Sequence, residues 1–238
     1  MTTTETTHLL LIRHGLTDYV TAHRMPGWRP GIHLNDEGRA QAAALARRLA
    51  EVKLAAVYSS PLERALETAA PLAEARGLAI EVRPDLGDLH PGDWTGRTVK
   101  ELENEELWPI IQAYPSGARL PGGESFQQCQ ARFVAELDAI RSAHPGQTIA
   151  VVSHADPIKM VVAYYLGLPL DLFQRLSVSP ASLTALAFQR FGPRLLCLNY
   201  TEPLVFHADP LLGMPCRAAR GCDAKNLEAE QAGDTKEQ

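Results

Sequence analysis

Two short apolar runs that each deliver a histidine constrain this chain more than any other feature. Leu9-Leu10-Leu11-Ile12 leads straight into Arg13-His14-Gly15, and far away Ile149-Ala150-Val151-Val152 leads into Ser153-His154. An uninterrupted apolar run of this length reads as a strand buried on both faces, the kind found at the centre of a parallel sheet. Ligands bind outside the carboxyl ends of such strands, so a histidine at that end is placed for chemistry. For one histidine alone, a satisfied core residue is an equal alternative; the recurrence of the arrangement argues against it. A third run, residues 55–60, enters Pro61-Leu62-Glu63-Arg64. There Ser60 is expected as a helix N-cap, with Pro61 at the first helical position and Glu63 completing a capping box. Arg64 then lies in the first helical turn, at the same sheet edge. A guanidinium that can hold two oxygens, beside the free N–H groups of a helix start, fits a phosphate or a carboxylate.

Strand and helix signals alternate along most of the chain, which predicts an α/β fold: a three-layer α/β/α sandwich with a mostly parallel, doubly wound sheet and an antiparallel edge. Asn35 is expected to cap a helix carrying Leu45, Leu49 and Val52 on one face, and Leu62, Ala65, Ala69 and Leu72 line the next. Residues 78–82 read as a strand, and 100–112, 124–144 and 157–166 as helices. Segments 183–188 and 195–200 read as the antiparallel pair, joined through Gly192-Pro193. With 238 residues, 45% of them apolar, one sizeable core suffices. The expected organisation is a flexible segment 1–7, a catalytic domain 8–206 and a tail 207–238 outside the core, where composition turns polar.

A net charge of −5 offers no general attraction to nucleic acid or to an anionic membrane, so neither is expected as a partner. No run approaches the ~18 apolar residues of a membrane span, and the polar start lacks the features of a secretory signal; a cytoplasmic location is the expectation. Cys129, Cys197, Cys216 and Cys222 are scattered without metal-ligand spacing and read as free thiols.

The chain resembles the histidine phosphatase superfamily, the phosphoglycerate mutase-like family. The segments that carry the resemblance are 11–15 (Leu-Ile-Arg-His-Gly), 34–42 (Leu-Asn-Asp-Glu-Gly-Arg-Ala-Gln-Ala), 59–69 (from Ser59-Ser60-Pro61), 92–96 (Gly-Asp-Trp-Thr-Gly), 121–125 (Pro-Gly-Gly-Glu-Ser) and 151–154 (Val-Val-Ser-His). They follow the family's order over residues 9–200. The wording at 92–97, 170–175 and 153–159 is most similar to a bacterial branch of phosphatases and phosphomutases.

Phosphoryl transfer needs an in-line nucleophile, positive charge around the equatorial oxygens and a proton for the leaving group. A neutral imidazole is nucleophilic near pH 7, so His14 is the expected nucleophile, forming a phosphohistidine that water then hydrolyses. Arg13 and Arg64 would hold the nonbridging oxygens, with His154 adding a hydrogen bond to the growing charge. No metal or other cofactor is called for, and the expected partner is a small phosphate ester; a homodimer is left open.

Three features depart from the family pattern. Where many relatives carry a glutamate four residues before Gly-Asp-Trp, this chain has Asp88, the expected general acid; Asp156, just beyond the second histidine, is the rival, and His90 and Asp93 are lesser candidates. Val20 stands where many relatives place a phosphate-binding asparagine. The Glu-Arg-His-Tyr-Gly segment of the mutases is absent. A phosphomonoesterase is therefore the first reading, with a phosphoglycerate mutase or other phosphomutase second and a non-catalytic phospho-ligand module third. Thr17 is a candidate phosphate contact or helix cap. Trp28 and Arg29, in the loop of residues 22–33, are candidate substrate contacts or parts of a solvated connection, and Trp108, Tyr114 and Arg119 have a weaker claim. Trp94 reads as packing.

Overall fold

A computed structural model of the chain describes residues 6–201 and, beyond them, the backbone of 204–206 and 216–218. The elements run β1 (Thr7–Arg13), α1 (Asp18–Thr21), α2 (Asp36–Arg48), β2 (Ala56–Ser59), α3 (Glu63–Glu74), β3 (Ile80–Val82), α4 (Val99–Leu102) and α5 (Leu107–Ala113). They continue through α6 (Phe126–Ala143), β4 (Thr148–Ser153), α7 (Ala155–Tyr165), β5 (Leu183–Gln189) and β6 (Gly192–Tyr200). Strands β7 (Leu204–Phe206) and β8 (Cys216–Ala218) pair antiparallel in a unit of their own, which starts after Thr201. The rest of the expected tail, 207–215 and 219–238, lies outside the described residues, as do Cys222 and residues 1–5 of the expected flexible start; Thr7 already belongs to β1 and is buried.

Six strands form one sheet in the order β3-β2-β4-β1-β5-β6. The first four run parallel, and β5 and β6 complete an antiparallel edge. Alternation along β1 divides the core. Leu9 and Leu11 pack with Phe133 and Leu137 of α6 and Ile158 and Val161 of α7 on one face, while α3 packs on β2 and β4 from the other, with α2 against it. Leu9, Leu10, Leu11 and Ile12 are all at most 1% exposed, and burying each such side chain stabilises the fold by about 1.5–3 kcal/mol. The helices that follow β1 and β4 leave toward opposite faces, which opens a crevice at the carboxyl ends of these two neighbouring strands.

Local structure departs from the sequence expectation in three places. Helix α3 starts two residues late: Leu62 is its N-cap, no side chain caps it, and the Glu63 carboxylate accepts the Gly31 N–H at 2.9 Å instead of closing a capping box. The stretch 100–112 is two short helices, α4 with a Thr98–Glu101 capping box and α5 beginning at Leu107, because the polar run 103–106 supplies no apolar face to carry one helix through. The β5–β6 turn falls at Arg190-Phe191, so Gly192 and Pro193 already belong to β6. Asn35 caps α2 as expected, accepting the Gly38 N–H at 2.9 Å. No helix among the described residues is long and apolar enough to cross a membrane.

Candidate active site

Parallel pairing aligns Arg13 with Ser153, so the next residue of each strand, His14 and His154, emerges at the same edge. Their rings lie 5.2 Å apart, centre to centre, and both are nearly sealed from solvent, at 2% and 1% exposure. The His14 N–H bonds the Ser153 carbonyl at 2.9 Å. At this point the chain turns against α2 with almost no clearance: a Cβ on Gly15 would stand 2.7 Å from the Gly38 carbonyl oxygen, and one on Gly38 would stand 2.0 Å from that of Leu16. These two glycines are therefore required by a backbone crossing that fixes the position of His14.

His14 Nδ1 lies 2.7 Å from the Gly15 carbonyl oxygen. A carbonyl only accepts, so Nδ1 carries the proton and Nε2 keeps its lone pair. Burial, then the charges of Arg64 and Arg13, hold the His14 pKa well below its ordinary value, so the ring is neutral across the physiological range. His154 is depressed in the same way, first by burial and then by Arg64. Its Nε2 shares a hydrogen bond with Ser60 Oγ at 2.8 Å, and the same oxygen accepts the Leu62 N–H at 3.3 Å. Thr68 ties the His14-Gly15 turn to α3, accepting the Gly15 N–H at 2.9 Å and donating to the Arg64 carbonyl at 2.7 Å.

Arg64 is fully buried. One of its terminal nitrogens donates to the Gly27 carbonyl at 2.8 Å and to Asp88 Oδ2 at 3.0 Å; Nε and Nη1 have no partner in the protein. Arg13 donates to the Val178 carbonyl at 2.7 Å and leaves Nε unpaired. His154 Nδ1 is likewise unpaired. Buried polar atoms without partners are rare in folded proteins. Among the described residues, four of the five such side-chain atoms belong to these three residues around His14, and Ser182 Oγ is the other.

Asp88 stands beside them, with Oδ1 accepting the Leu89 N–H at 2.9 Å and Oδ2 3.8 Å from His154 Nδ1. Desolvation pushes its pKa up to about 6 against the opposing charge of Arg64. Its backbone is clamped from two sides. Arg132 of α6 donates to the carbonyls of Asp85, Gly87 and Asp88 at 2.8, 3.0 and 2.7 Å, while ion-paired to Glu124 at 2.6 Å. The Trp28 indole donates to the Asp88 carbonyl at 2.6 Å. Asp156 faces the same cavity from the first turn of α7 but is paired with Lys159 at 2.7 Å.

Arg13, His14, Asp88, His154 and Asp156 line one cavity of about 420 Å³ that opens away from the sheet. Arg64 reaches it through Asp88. Trp28 stacks on His90 at 4.2 Å, nearly parallel, and neither ring lines the cavity; Arg29 is exposed outside it, as are Tyr114 and Arg119. Thr17 is buried as the N-cap of α1, accepting the Val20 N–H. Asp93 is exposed, and its N–H bonds the Pro121 carbonyl at 2.8 Å. A Cβ on Gly92 would stand 2.1 Å from the Pro121 carbonyl oxygen, so segments 92–96 and 121–125 interlock backbone to backbone. Val20 and Trp108 do line the cavity, and Trp94 is buried in the adjoining core cluster. Arg132, Glu124 and Thr68 went unread in the sequence. Their partners are backbone groups distant in sequence, and an arginine on an amphipathic helix reads as a solvated face until its three carbonyl partners are seen.

Among the described residues no group of three His, Cys, Asp or Glu is gathered to hold a metal ion. A sequence profile of the histidine phosphatase superfamily (branch 1) matches residues 9–201. The chain belongs to that superfamily. Bifunctional protein Rv2228c of Mycobacterium tuberculosis is 37% identical over 190 residues, which cover 78% of this chain and 51% of that protein, so the chain spans about half the length of this relative. Phosphoserine phosphatase 1 of Hydrogenobacter thermophilus is 30% identical over 196 residues, 81% of this chain and 92% of that one. Among solved structures, the mycobacterial glucosyl-3-phosphoglycerate phosphatase complexed with VO3 superposes with a TM-score of 0.73 at 29% identity, covering 81% of this chain and 98% of that one.

Proposed function

We propose that this superfamily member is a phosphomonoesterase that hydrolyses a small phosphorylated metabolite through a phosphohistidine on His14, with no metal cofactor. The observation that carries the reading is the convergence of Arg13 Nε, Arg64 Nε and Nη1, and His154 Nδ1, all buried and unpaired, around a histidine whose free lone pair is on Nε2. Such a set meets the charge of a phosphoryl group from the protein's own side chains.

His14 Nε2 attacks phosphorus, the P–O bond to the alcohol breaks, and Asp88 gives its carboxyl proton to the departing oxygen. Arg13 and Arg64 hold the nonbridging oxygens, and His154 donates to the charge that builds on them. Water then attacks the phosphohistidine and passes a proton to the Asp88 carboxylate. The products are an alcohol and inorganic phosphate, and both side chains return to their starting states. With a pKa of about 6, Asp88 is a workable acid near neutrality, and a bound phosphate dianion raises it further by like-charge repulsion. Asp156 is less suited, since Lys159 holds its carboxylate. The names of two relatives, a phosphoserine phosphatase and a glucosyl-3-phosphoglycerate phosphatase, support hydrolysis of a small phosphate ester.

The test is phosphate release from a panel of phosphorylated metabolites, with and without chelator and bisphosphoglycerate. Steady release that ignores both additions is expected. Isomerisation of phosphoglycerate that depends on the bisphosphate, without net release, would establish a mutase instead.

A further inference from the structure

Beyond the phosphate-holding residues the cavity changes character. Its walls there are formed by Val20, Met25, Val99, Trp108, Ile111 and Phe126, and Ile111 and Phe126 belong to a hydrophobic cluster continuous with the body of the protein. Polar side chains share this side: His23, Gln112 and Gln174 also line it, Arg24 donates to the Gly96 carbonyl at 2.7 Å, Gln174 accepts from Lys159 at 3.4 Å, and Asp156 and Lys159 pair with each other. At about 420 Å³ the cavity falls in the range that encloses a drug-sized ligand, about 300–1,000 Å³. A phosphorylated three-carbon acid would fill a small part of it and set its carboxylate against apolar side chains, an unfavourable burial.

From this lining we infer that the alcohol half of the substrate is predominantly apolar and uncharged, so that the preferred ester is the phosphate of an alkyl or aryl alcohol. The inference rests on the phosphomonoesterase reading for the reaction, while the recognition itself is a matter of binding. Val20 is central to it. Where an amide at that position would add a polar contact near the phosphate, valine extends the apolar wall.

Two chain-length series test this on the full chain: affinities of n-alkylphosphonates, which cannot be hydrolysed, and kcat/KM for n-alkyl phosphates from methyl to octyl. All members after the shortest share one leaving-group basicity, so the slope reports the pocket alone. Each added methylene is expected to improve affinity and kcat/KM by two- to fourfold until the cavity is filled, and the longer esters should exceed phosphoserine and 3-phosphoglycerate by more than tenfold. Trp108→Ala should flatten the slope; if that variant does not fold, the wild-type series decides alone. A flat phosphonate series, or polar phosphoesters that outperform every alkyl ester, would overturn the inference. Turnover on any ester together with a flat phosphonate series refutes the apolar leaving group and spares the hydrolytic reading. A steep phosphonate series with no turnover on any ester does the opposite.

Discussion

The two ends of the cavity are built by different means. At the proposed phosphate end Arg13, His14, His154 and Arg64 come from strand ends or a first helical turn, are 0–2% exposed in the case of His14, Arg64 and His154, and are positioned by ladder hydrogen bonds and a backbone crossing, while Asp88 comes from a loop held by Arg132 and Trp28. At the proposed leaving-group end most of the walls come from a loop and from helices of four to seven residues, with Phe126 added from the start of α6, and several side chains stay half-buried. Rigid elements thus hold the chemistry and short ones the selectivity, which is where selectivity is easiest to change. Substitutions at the first end should abolish turnover on every ester. Those around it should act by leaving group, and those further out on stability alone.

The largest expected effect is His14→Ala, with a loss of at least about 10³-fold in turnover for every ester and a folded protein by circular dichroism, since the apolar residues of β1 hold the strand. Equal activity in the variant would remove the covalent mechanism. Next comes Asp88→Asn, which should depress alkyl phosphate turnover by about 10²–10⁴-fold and leave p-nitrophenyl phosphate little changed, because that leaving group departs as a stable anion. Asp156→Asn should not show this selectivity; if it does, the acid belongs to the second histidine's helix.

The raised pKa of Asp88 makes two further expectations. The protonated acid is lost as pH rises through about 6, so kcat/KM for alkyl phosphates should fall across that range and the limb should vanish in Asp88→Asn. A folded-state pKa above the ordinary carboxylate range means that the stability contributed by this group is fully present below about pH 4 and lost by the time pH passes 6. Asp88→Asn should therefore raise Tm relative to the wild type at pH 8 and not at pH 4; the opposite pattern would show a carboxylate that stabilises the fold through Arg64.

Arg132→Ala should cost about 10- to 10²-fold with alkyl phosphates and less with p-nitrophenyl phosphate, because it frees the segment that aims Asp88. Equal losses on both esters would mark a purely structural arginine. The smallest effect is expected at Thr17→Ala, about 1 kcal/mol of stability from the lost cap of α1 with turnover within twofold. A large rise in KM there would instead make Thr17 a phosphate contact.

The convergence of His14, His154 and Arg64 was legible in the sequence because its logic is periodic: apolar runs closed by His14 and His154 announce strand ends, and Arg64 follows a third run. The mostly parallel sheet and its antiparallel edge followed from the alternation of strand and helix signals, whereas the strand order is set by long-range pairing that no local pattern encodes. Ser60 accepts the Leu62 N–H as its place before Pro61 suggests, yet the helix cap itself falls at Leu62, and the Ser60 hydroxyl also meets His154, a partner 94 residues away that no local pattern encodes. The Arg132 clamp and the Trp28–Asp88 contact are long-range side-chain-to-carbonyl bonds of the same kind. The break between α4 and α5 escapes a residue-by-residue reading because residues 103–106 are individually compatible with helix, and only their joint lack of an apolar side chain ends it.

Detection of the phosphoenzyme tests the covalent mechanism most directly. Rapid acid-free quenching during turnover, followed by intact-mass and peptide analysis, should show one phosphoryl group on His14 that is lost in acid and survives base. His14→Ala should show none. Full hydrolytic activity with no labelled histidine, or a label on another residue that persists in His14→Ala, would contradict it.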